Sequence, residues 1–248
     1  MAWVRCAVQD RYAGDIGDYI KLAILRHLAD GQGLGVAWWL FPDEKNGDGK
    51  HVGYLEHPEK WMRFDPTLFC GLRSIVRSEQ RTVASLHKLF PVGTRFACDQ
   101  IPCLVAPYSY RPLEREKWFQ KVKVDLEGCD IVFVDPDNGL EPRSFSLTRR
   151  RAGKSVKFRE LMQLGEKGRA LIVYHHYFRQ RHDEQIQVLA SRLRLEGFRR
   201  IDVLRWHRIS PRAFFLLNAS NGLRRRAKEI EAKWDGHVSL QLDGANTV

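Results

Sequence analysis

Apolar positions along the chain follow two spacings, one typical of buried strands and the other of amphipathic helices. Short continuous apolar runs predict strands at 34–41, 130–134 and 169–174, with a shorter one near 94–97. Spacings of three and four residues predict helices at 18–29, 66–76, 82–89, 113–126, 155–164, 183–196 and 224–234. Strands that alternate with helices in this way are typical of an α/β domain, with a mostly parallel sheet and helices on both faces.

The C-terminal part departs from the alternation. Residues 201–206 and 213–217 predict an antiparallel strand pair that turns at Ile209-Ser210-Pro211, and the last dozen residues carry only a weak pattern. A proline-rich stretch at about 91–112 predicts an irregular insertion. With no internal repeat and no clear linker, we expect a single domain over residues 1–248.

Apolar run lengths and cysteine usage favour a cytoplasmic protein with no membrane partner. No apolar run approaches the roughly 18 residues that a membrane span needs. The first residues lack the layout of a secretion signal. The five cysteines are scattered and never form a C-x-x-C pair, as expected for thiols in a reducing compartment. The sequence does not predict an oligomeric state.

The net positive charge comes entirely from the C-terminal part of the chain. The formal net charge is +11. Residues 1–140 carry 18 Lys and Arg against 19 Asp and Glu, whereas residues 141–248 carry 23 against 11. Arginine clusters at 149–151, 199–200 and 224–226 account for part of this excess. Such a basic surface predicts a polyanionic partner, most simply DNA or RNA.

Candidate chemistry lies in three loops that follow predicted strands: 42–49, 135–139 and 175–177. Because ligands of parallel α/β sheets bind at the carboxyl ends of the strands, we expect these loops to meet at one site. The candidate catalytic residues are Asp135, Asp137, Asn138 and His175. The loop 135–139 (Asp-Pro-Asp-Asn-Gly) is also good turn chemistry, so by itself it could be only a turn.

Two motifs and the order of the elements resemble a known family. The segment 14–21 (Gly-Asp-Ile-Gly-Asp-Tyr-Ile-Lys) resembles a G-N-x-x-D-x-x-K stretch in ribosomal RNA adenine methyltransferases of the RlmJ type. Asp135-Pro136 matches the start of the (N/D)-P-P-(Y/F) motif of nucleic-acid amino-methyltransferases, and residues 213–218 resemble their terminal strand. The motifs D-R-Y-x-G-D-I-G-D and D-P-D-N-G also resemble a group of uncharacterised bacterial proteins.

The resemblance implies a Rossmann-like fold and S-adenosylmethionine as the methyl donor. It also implies that Asp135 accepts a hydrogen bond from the target amino group of a flipped nucleic-acid base. Donor-binding residues would come from the segment 14–21 and the loop 42–49, namely Asp15, Asp18, Lys21, Asp43, Asn46, Gly47 and Gly49.

The sequence departs from the family pattern at two places. Asn138 stands where the family has a stacking aromatic, so Tyr177, Phe178 or Tyr12 would have to supply that ring. The loop 42–49 is more acidic and less glycine-rich than a usual donor loop.

Two alternatives stay open at this stage. In the first, a phosphoesterase or nuclease binds Mg²⁺ or Mn²⁺ through carboxylates of the same loops, with Glu141 or His175 as a further ligand. Its carboxylates would be Asp43, Asp48, Asp135 and Asp137. In the second, the protein binds nucleic acid on a degenerate enzyme fold without catalysis.

Overall fold

The computed structural model of the chain describes residues 13–42, 51–78, 81–178 and 181–244. Within these ranges seven strands form one sheet. They are β1 (Leu34–Ala37), β2 (Arg95–Ala97), β3 (Ile131–Val134), β4 (Ala170–His176), β5 (Ile201–Trp206), β6 (Arg212–Leu217) and β7 (Val238–Gln241). Their order in the sheet is β2-β1-β3-β4-β6-β5-β7.

The first four strands pair in parallel, and antiparallel pairing begins at β6. Strands β2, β1, β3 and β4 run in one direction. Strand β6 lies between β4 and β5 and is antiparallel to both, while β7 pairs antiparallel with β5 at the edge. The predicted α/β fold, with a mostly parallel first part and an antiparallel C-terminal pair, is confirmed.

Helices cover both faces of the sheet. They are α1 (Ile16–Leu28), α2 (Pro58–Trp61), α3 (Pro66–Arg77), α4 (Val83–Leu86), α5 (Arg111–Asp125), α6 (Phe158–Leu164), α7 (His182–Leu195) and α8 (Asn221–Lys233). Alternate residues of a strand face opposite sides, so β4 places Ile172 and Tyr174 in one core and Leu171 and Val173 in the other. Helices α1, α3 and α8 close the first core, and α5, α6 and α7 close the second.

Helix α1 begins at the edge of the sheet where the parallel strands end. The Asp15 side chain caps it by accepting from the backbone N–H of Asp18 at 3.0 Å. One face of the helix, with Tyr19, Leu22 and Leu25, is fully buried. The cap and this apolar face fix the first turn of α1 over the ends of β1 and β3, where its side chains meet the loops that follow those strands.

The structure differs from the predicted elements at two strands. Strand β1 stops at Ala37 instead of continuing to Phe41, because the backbone N–H of Leu40 bonds to the Trp38 carbonyl oxygen at 2.6 Å and bends the chain. Strand β7, in the C-terminal region of weak pattern, was not predicted. Among the described residues, no helix combines the length and apolar character that crossing a membrane requires.

Candidate functional site

The carboxyl ends of β1, β3 and β4, together with the first turn of α1, surround a cavity of about 460 Å³. This volume is within the range of small-molecule and cofactor sites. Six of the residues predicted for the site line it: Asp15, Asp18, Lys21, Asp135, Asp137 and Asn138. The segment 14–21 and the loop 135–139, more than 110 residues apart in sequence, therefore contribute to the same cavity.

Lys21 connects the two segments. Its Nζ lies 2.9 Å from Oδ2 of Asp135 and 3.1 Å from Oδ1 of Asp18. The ammonium group also lies 5.1 Å from the centre of the Tyr174 ring. Burial alone would lower the pKa of Lys21, but the two carboxylates outweigh burial and raise that pKa well above its ordinary value. Lys21 is therefore a stable cation that holds Asp135 in place.

Asp18 is buried beneath the cavity. Its Oδ2 accepts from the backbone N–H of Gly14 at 3.0 Å, and the Gly14 carbonyl oxygen in turn accepts from the Tyr54 hydroxyl at 3.2 Å. Burial raises the pKa of Asp18 to about 6, even though Lys21 opposes the shift. Asp18 therefore connects the turn that precedes α1 to the bottom of the cavity.

The loop 135–139 combines a tight turn with residues that line the cavity. The backbone N–H of Asn138 donates to the carbonyl oxygen of Lys154 at 2.7 Å. The Lys154 ammonium lies 3.8 Å from the Asp137 carboxylate. Gly139 has a φ of +74°, and a Cβ on it would come within 2.1 Å of Nδ1 of His175. The glycine is required by the turn, whereas Asp135 to Asn138 face the cavity.

The adjacent histidines lie on opposite sides of the sheet. His175, predicted as catalytic, is fully buried in the second core, where its Nδ1 accepts from the Leu140 N–H at 3.2 Å. His175 does not line the cavity; His176 does. Burial lowers the pKa of His175 to about 4, and burial together with the charge of Arg212 lowers the pKa of His176 well below its ordinary value. We therefore assign His175 a packing role and replace it with His176 as the histidine of the site.

The sequence prediction missed other residues of the cavity. Trp38, Tyr174, Lys154 and Arg212 line it together with His176. Tyr174 and His176 share a strand face, so the alternation of β4 could have paired them. Arg212 begins the antiparallel strand β6, which starts at the edge where the parallel strands end. The sequence could have indicated Arg212, because the first residue of an antiparallel strand lies beside the loops that follow the parallel strands.

Several predicted residues lie elsewhere or outside the described ranges. Asp43, Asn46, Gly47, Gly49, Asp48 and Tyr12 are outside the described residues. The Tyr177 ring stacks on His182 with centroids 3.9 Å apart, and Phe178 packs 5.8 Å from the ring of His175. Neither ring lines the cavity. The aromatic residues that line the cavity include Trp38, Tyr174 and Phe41.

Two of the four carboxylates proposed as metal ligands, Asp43 and Asp48, lie outside the described residues. No group of three or more His, Cys, Asp or Glu side chains in the described ranges is arranged to hold a metal ion. Lys21 lies between Asp18 and Asp135, where a divalent cation would otherwise bridge the carboxylates. Glu141 accepts from the backbone N–H of Phe158 at 2.9 Å, which is a structural role.

The arginine clusters have different environments. Arg200 donates to the carbonyl oxygen of Ala219 at 2.8 Å, and Arg224 forms an ion pair of 2.9 Å with the buried Asp202. Arg226 donates to the carbonyl oxygen of Leu28. These arginines stabilise the fold. All three arginines of the cluster 149–151 are exposed, as are Arg199, Arg200 and Arg225.

Fold and site together define an α/β protein with a polar, ligand-sized cavity at the carboxyl edge of its parallel strands. Compared with known proteins, the chain matches no family model, and no curated protein matches it significantly. The geometry of the cavity and the two motifs that meet there are therefore the features that bear on its function.

Proposed function

We propose that this protein transfers a methyl group from S-adenosylmethionine to an amino group of a nucleic-acid base. The observation that carries the proposal is the 2.9 Å contact between Lys21 and Asp135. These residues belong to the two motifs on which the resemblance to nucleic-acid amino-methyltransferases depends. Their meeting at a ligand-sized cavity supports a shared role in binding one ligand.

The residues of the cavity fit the proposed donor. Asp15 and Asp18 offer carboxylates to its positively charged groups. Gly17 lines the cavity without a side chain. A Cβ there would lie 3.8 Å from the Tyr174 hydroxyl and 3.1 Å from the Asp15 carboxylate, so the glycine leaves space beside these groups. The indole N–H of Trp38 is buried without a hydrogen-bond partner among the described residues. When bound, S-adenosylmethionine supplies an electrophilic methyl group.

The chain's own residues would orient the target. Asp135 accepts a hydrogen bond from the target amino group, which directs the nitrogen lone pair towards the donor. Lys21 donates to Oδ2 of Asp135 and keeps the carboxylate in one orientation. The Trp38 and Tyr174 rings exclude water and offer apolar surface to the base, a role that Asn138 cannot fill.

Donor binding and methyl transfer test the proposal directly. We expect S-adenosylmethionine to raise the melting temperature of the protein, and labelled methyl groups to enter RNA or DNA. Asp135→Ala should lower the transfer rate by about 100-fold or more while donor binding is retained. Asp125→Ala, which changes a carboxylate on α5, is the matched control.

No stabilisation by the donor at millimolar concentration would overturn the proposal. A Mg²⁺- or Mn²⁺-dependent shift in melting temperature, lost in Asp135→Asn and Asp137→Asn, would support the phosphoesterase instead. Salt-sensitive nucleic-acid binding without methyl transfer, unaffected by both substitutions, would support a non-catalytic binding protein.

A further inference from the structure

Two exposed segments lie side by side next to the cavity. The first, 142–157, contains six Lys or Arg and no Asp or Glu. The second, 101–113, contains several large apolar residues that are at least half exposed. Together they present a surface that we call the basic–aromatic surface. Its members are Leu104, Tyr108, Tyr110, Arg149, Arg150 and Arg151.

The two segments are joined by direct contacts. The Arg111 guanidinium donates to the carbonyl oxygen of Val105 at 2.9 Å and to that of Thr148 at 2.7 Å. Gly153 packs so closely that a Cβ on it would come within 2.9 Å of the Cys103 Cβ. Basic and aromatic groups are therefore held on one surface by the fold.

This surface is continuous with the cavity. The Phe41 ring, which lines the cavity, lies 5.5 Å from the Arg150 guanidinium and 4.8 Å from the Lys154 ammonium. Lys154 also lines the cavity, and its carbonyl oxygen holds the N–H of Asn138. A polymer that lies along the basic–aromatic surface would therefore pass the mouth of the cavity.

The exposed side chains of the basic–aromatic surface indicate which kind of partner it binds. Tyr108 is 64% exposed and Tyr110 is 55% exposed, although tyrosine rings gain stability when they are covered. The adjacent carboxylates Glu114 and Glu116 bond to other side chains along α5. Exposed rings beside a cluster of exposed arginines match a chain with stacked bases and a phosphate backbone. The positive charge disfavours a second copy of this protein.

We infer that the basic–aromatic surface binds single-stranded nucleic acid and delivers its target base to the cavity. Arg149 and Arg151 contact phosphates, while Tyr108 and Tyr110 stack on unpaired bases. A duplex would hide its base faces from these rings. The inference deepens the proposed function, and rests on it for the identity of the reacting base.

Fluorescence anisotropy with short labelled single strands, both RNA and DNA, tests the inference at several salt concentrations. We expect Arg149→Gln/Arg151→Gln to weaken binding and to reduce the slope of log K against log salt by about 1.4. Tyr108→Ala/Tyr110→Ala should weaken binding by about 30-fold or more without changing that slope. Arg199→Gln/Lys228→Gln removes the same charge from exposed positions elsewhere and should leave the affinity within about twofold.

Three outcomes would overturn the inference: equal losses in the control variant, full affinity in both surface variants, or binding of the matching duplex as tight as that of the single strand. Thermal melting of each variant checks that it folds. Failure of the proposed function is distinguishable, because binding that depends on the surface would then persist without methyl transfer. If methyl transfer is unchanged in both surface variants, the inference about the basic–aromatic surface is wrong while the proposed function stands.

Discussion

At the scale of single residues, Gly139 explains why the loop 135–139 is both a turn and part of a site. Its φ of +74° suits glycine, and the absent Cβ leaves room for His175. We expect Gly139→Ala to lower the free energy of unfolding by about 3 kcal/mol, through left-handed backbone strain and the clash with the imidazole. Urea denaturation measures the loss.

Gly93 provides the matched control for that substitution. It has a φ of +85°, and a Cβ there would meet no atom within 4 Å. Gly93→Ala should therefore cost only the backbone strain, about 1–2 kcal/mol. Equal losses at the two positions would show that contact with His175 is not what requires a glycine at 139.

At the scale of elements, Lys21 couples α1 to the end of β3. Removing the ammonium leaves Asp18 and Asp135 close together and largely buried, with side chains only 5% and 11% exposed. We expect Lys21→Met to lower the free energy of unfolding by about 3 kcal/mol. Adding Asp135→Asn should recover part of that loss, because one of the two uncompensated carboxylates is then neutral.

An exposed ion pair is the comparison for Lys21. Lys121 on α5 pairs with Asp99, but the Lys121 side chain is 60% exposed. Lys121→Met should change the free energy of unfolding by no more than about 0.5 kcal/mol in the same urea titrations. If Lys21→Met is equally mild, or if Asp135→Asn worsens it, the described coupling between α1 and β3 is wrong.

The elements also show what sequence patterns can and cannot predict. The strands β3 and β4 were predictable because both faces are buried, which leaves continuous apolar runs. Strand β7 was not, because its residues Val238–Gln241 pair with β5 at the edge of the sheet and range from buried to exposed. Alternation in β4 placed His175 and His176 on opposite faces, but only the assembled sheet shows which face holds the cavity.

At the scale of the whole molecule, the direction of the strands determined the site. The prediction that loops after parallel strands would meet follows from topology. The loop 42–49 lies outside the described residues, while the loop 135–139 and His176 at the end of β4 line the same cavity. Arg212 reaches the same edge only because β6 runs the other way. Net charge was a weaker guide to a nucleic-acid-binding surface. Carbonyl or carboxylate groups within the fold bind Arg200, Arg224 and Arg226.

Buried titratable groups make the stability of the whole fold depend on pH. The pKa of His175 falls from 6.5 to about 4 on folding, so the unfolded chain takes up a proton first as the pH drops. Protonation of His175 in the unfolded chain lowers the free energy of unfolding by about 3 kcal/mol between pH 6.5 and 4. The pKa of His176 is lowered as well, so His176 acts in the same direction. Asp18 acts oppositely: its pKa rises from 3.8 to about 6, so its protonation favours the folded state by about 3 kcal/mol as the pH falls through that interval.

His87 and His207 also have lowered pKa values, and Asp125 and Glu141 have raised ones, so four histidines oppose three carboxyl groups. The balance is a net loss of stability in acid. We expect the free energy of unfolding to fall between pH 7 and 4.5, more steeply in Asp18→Asn, which lacks the opposing group. His175→Asn should flatten the fall, because the asparagine Oδ1 can replace Nδ1 as acceptor for the Leu140 N–H without titrating. Urea titrations at each pH give the slopes. Parallel curves for the three proteins would mean that these buried groups do not govern the acid sensitivity of the fold.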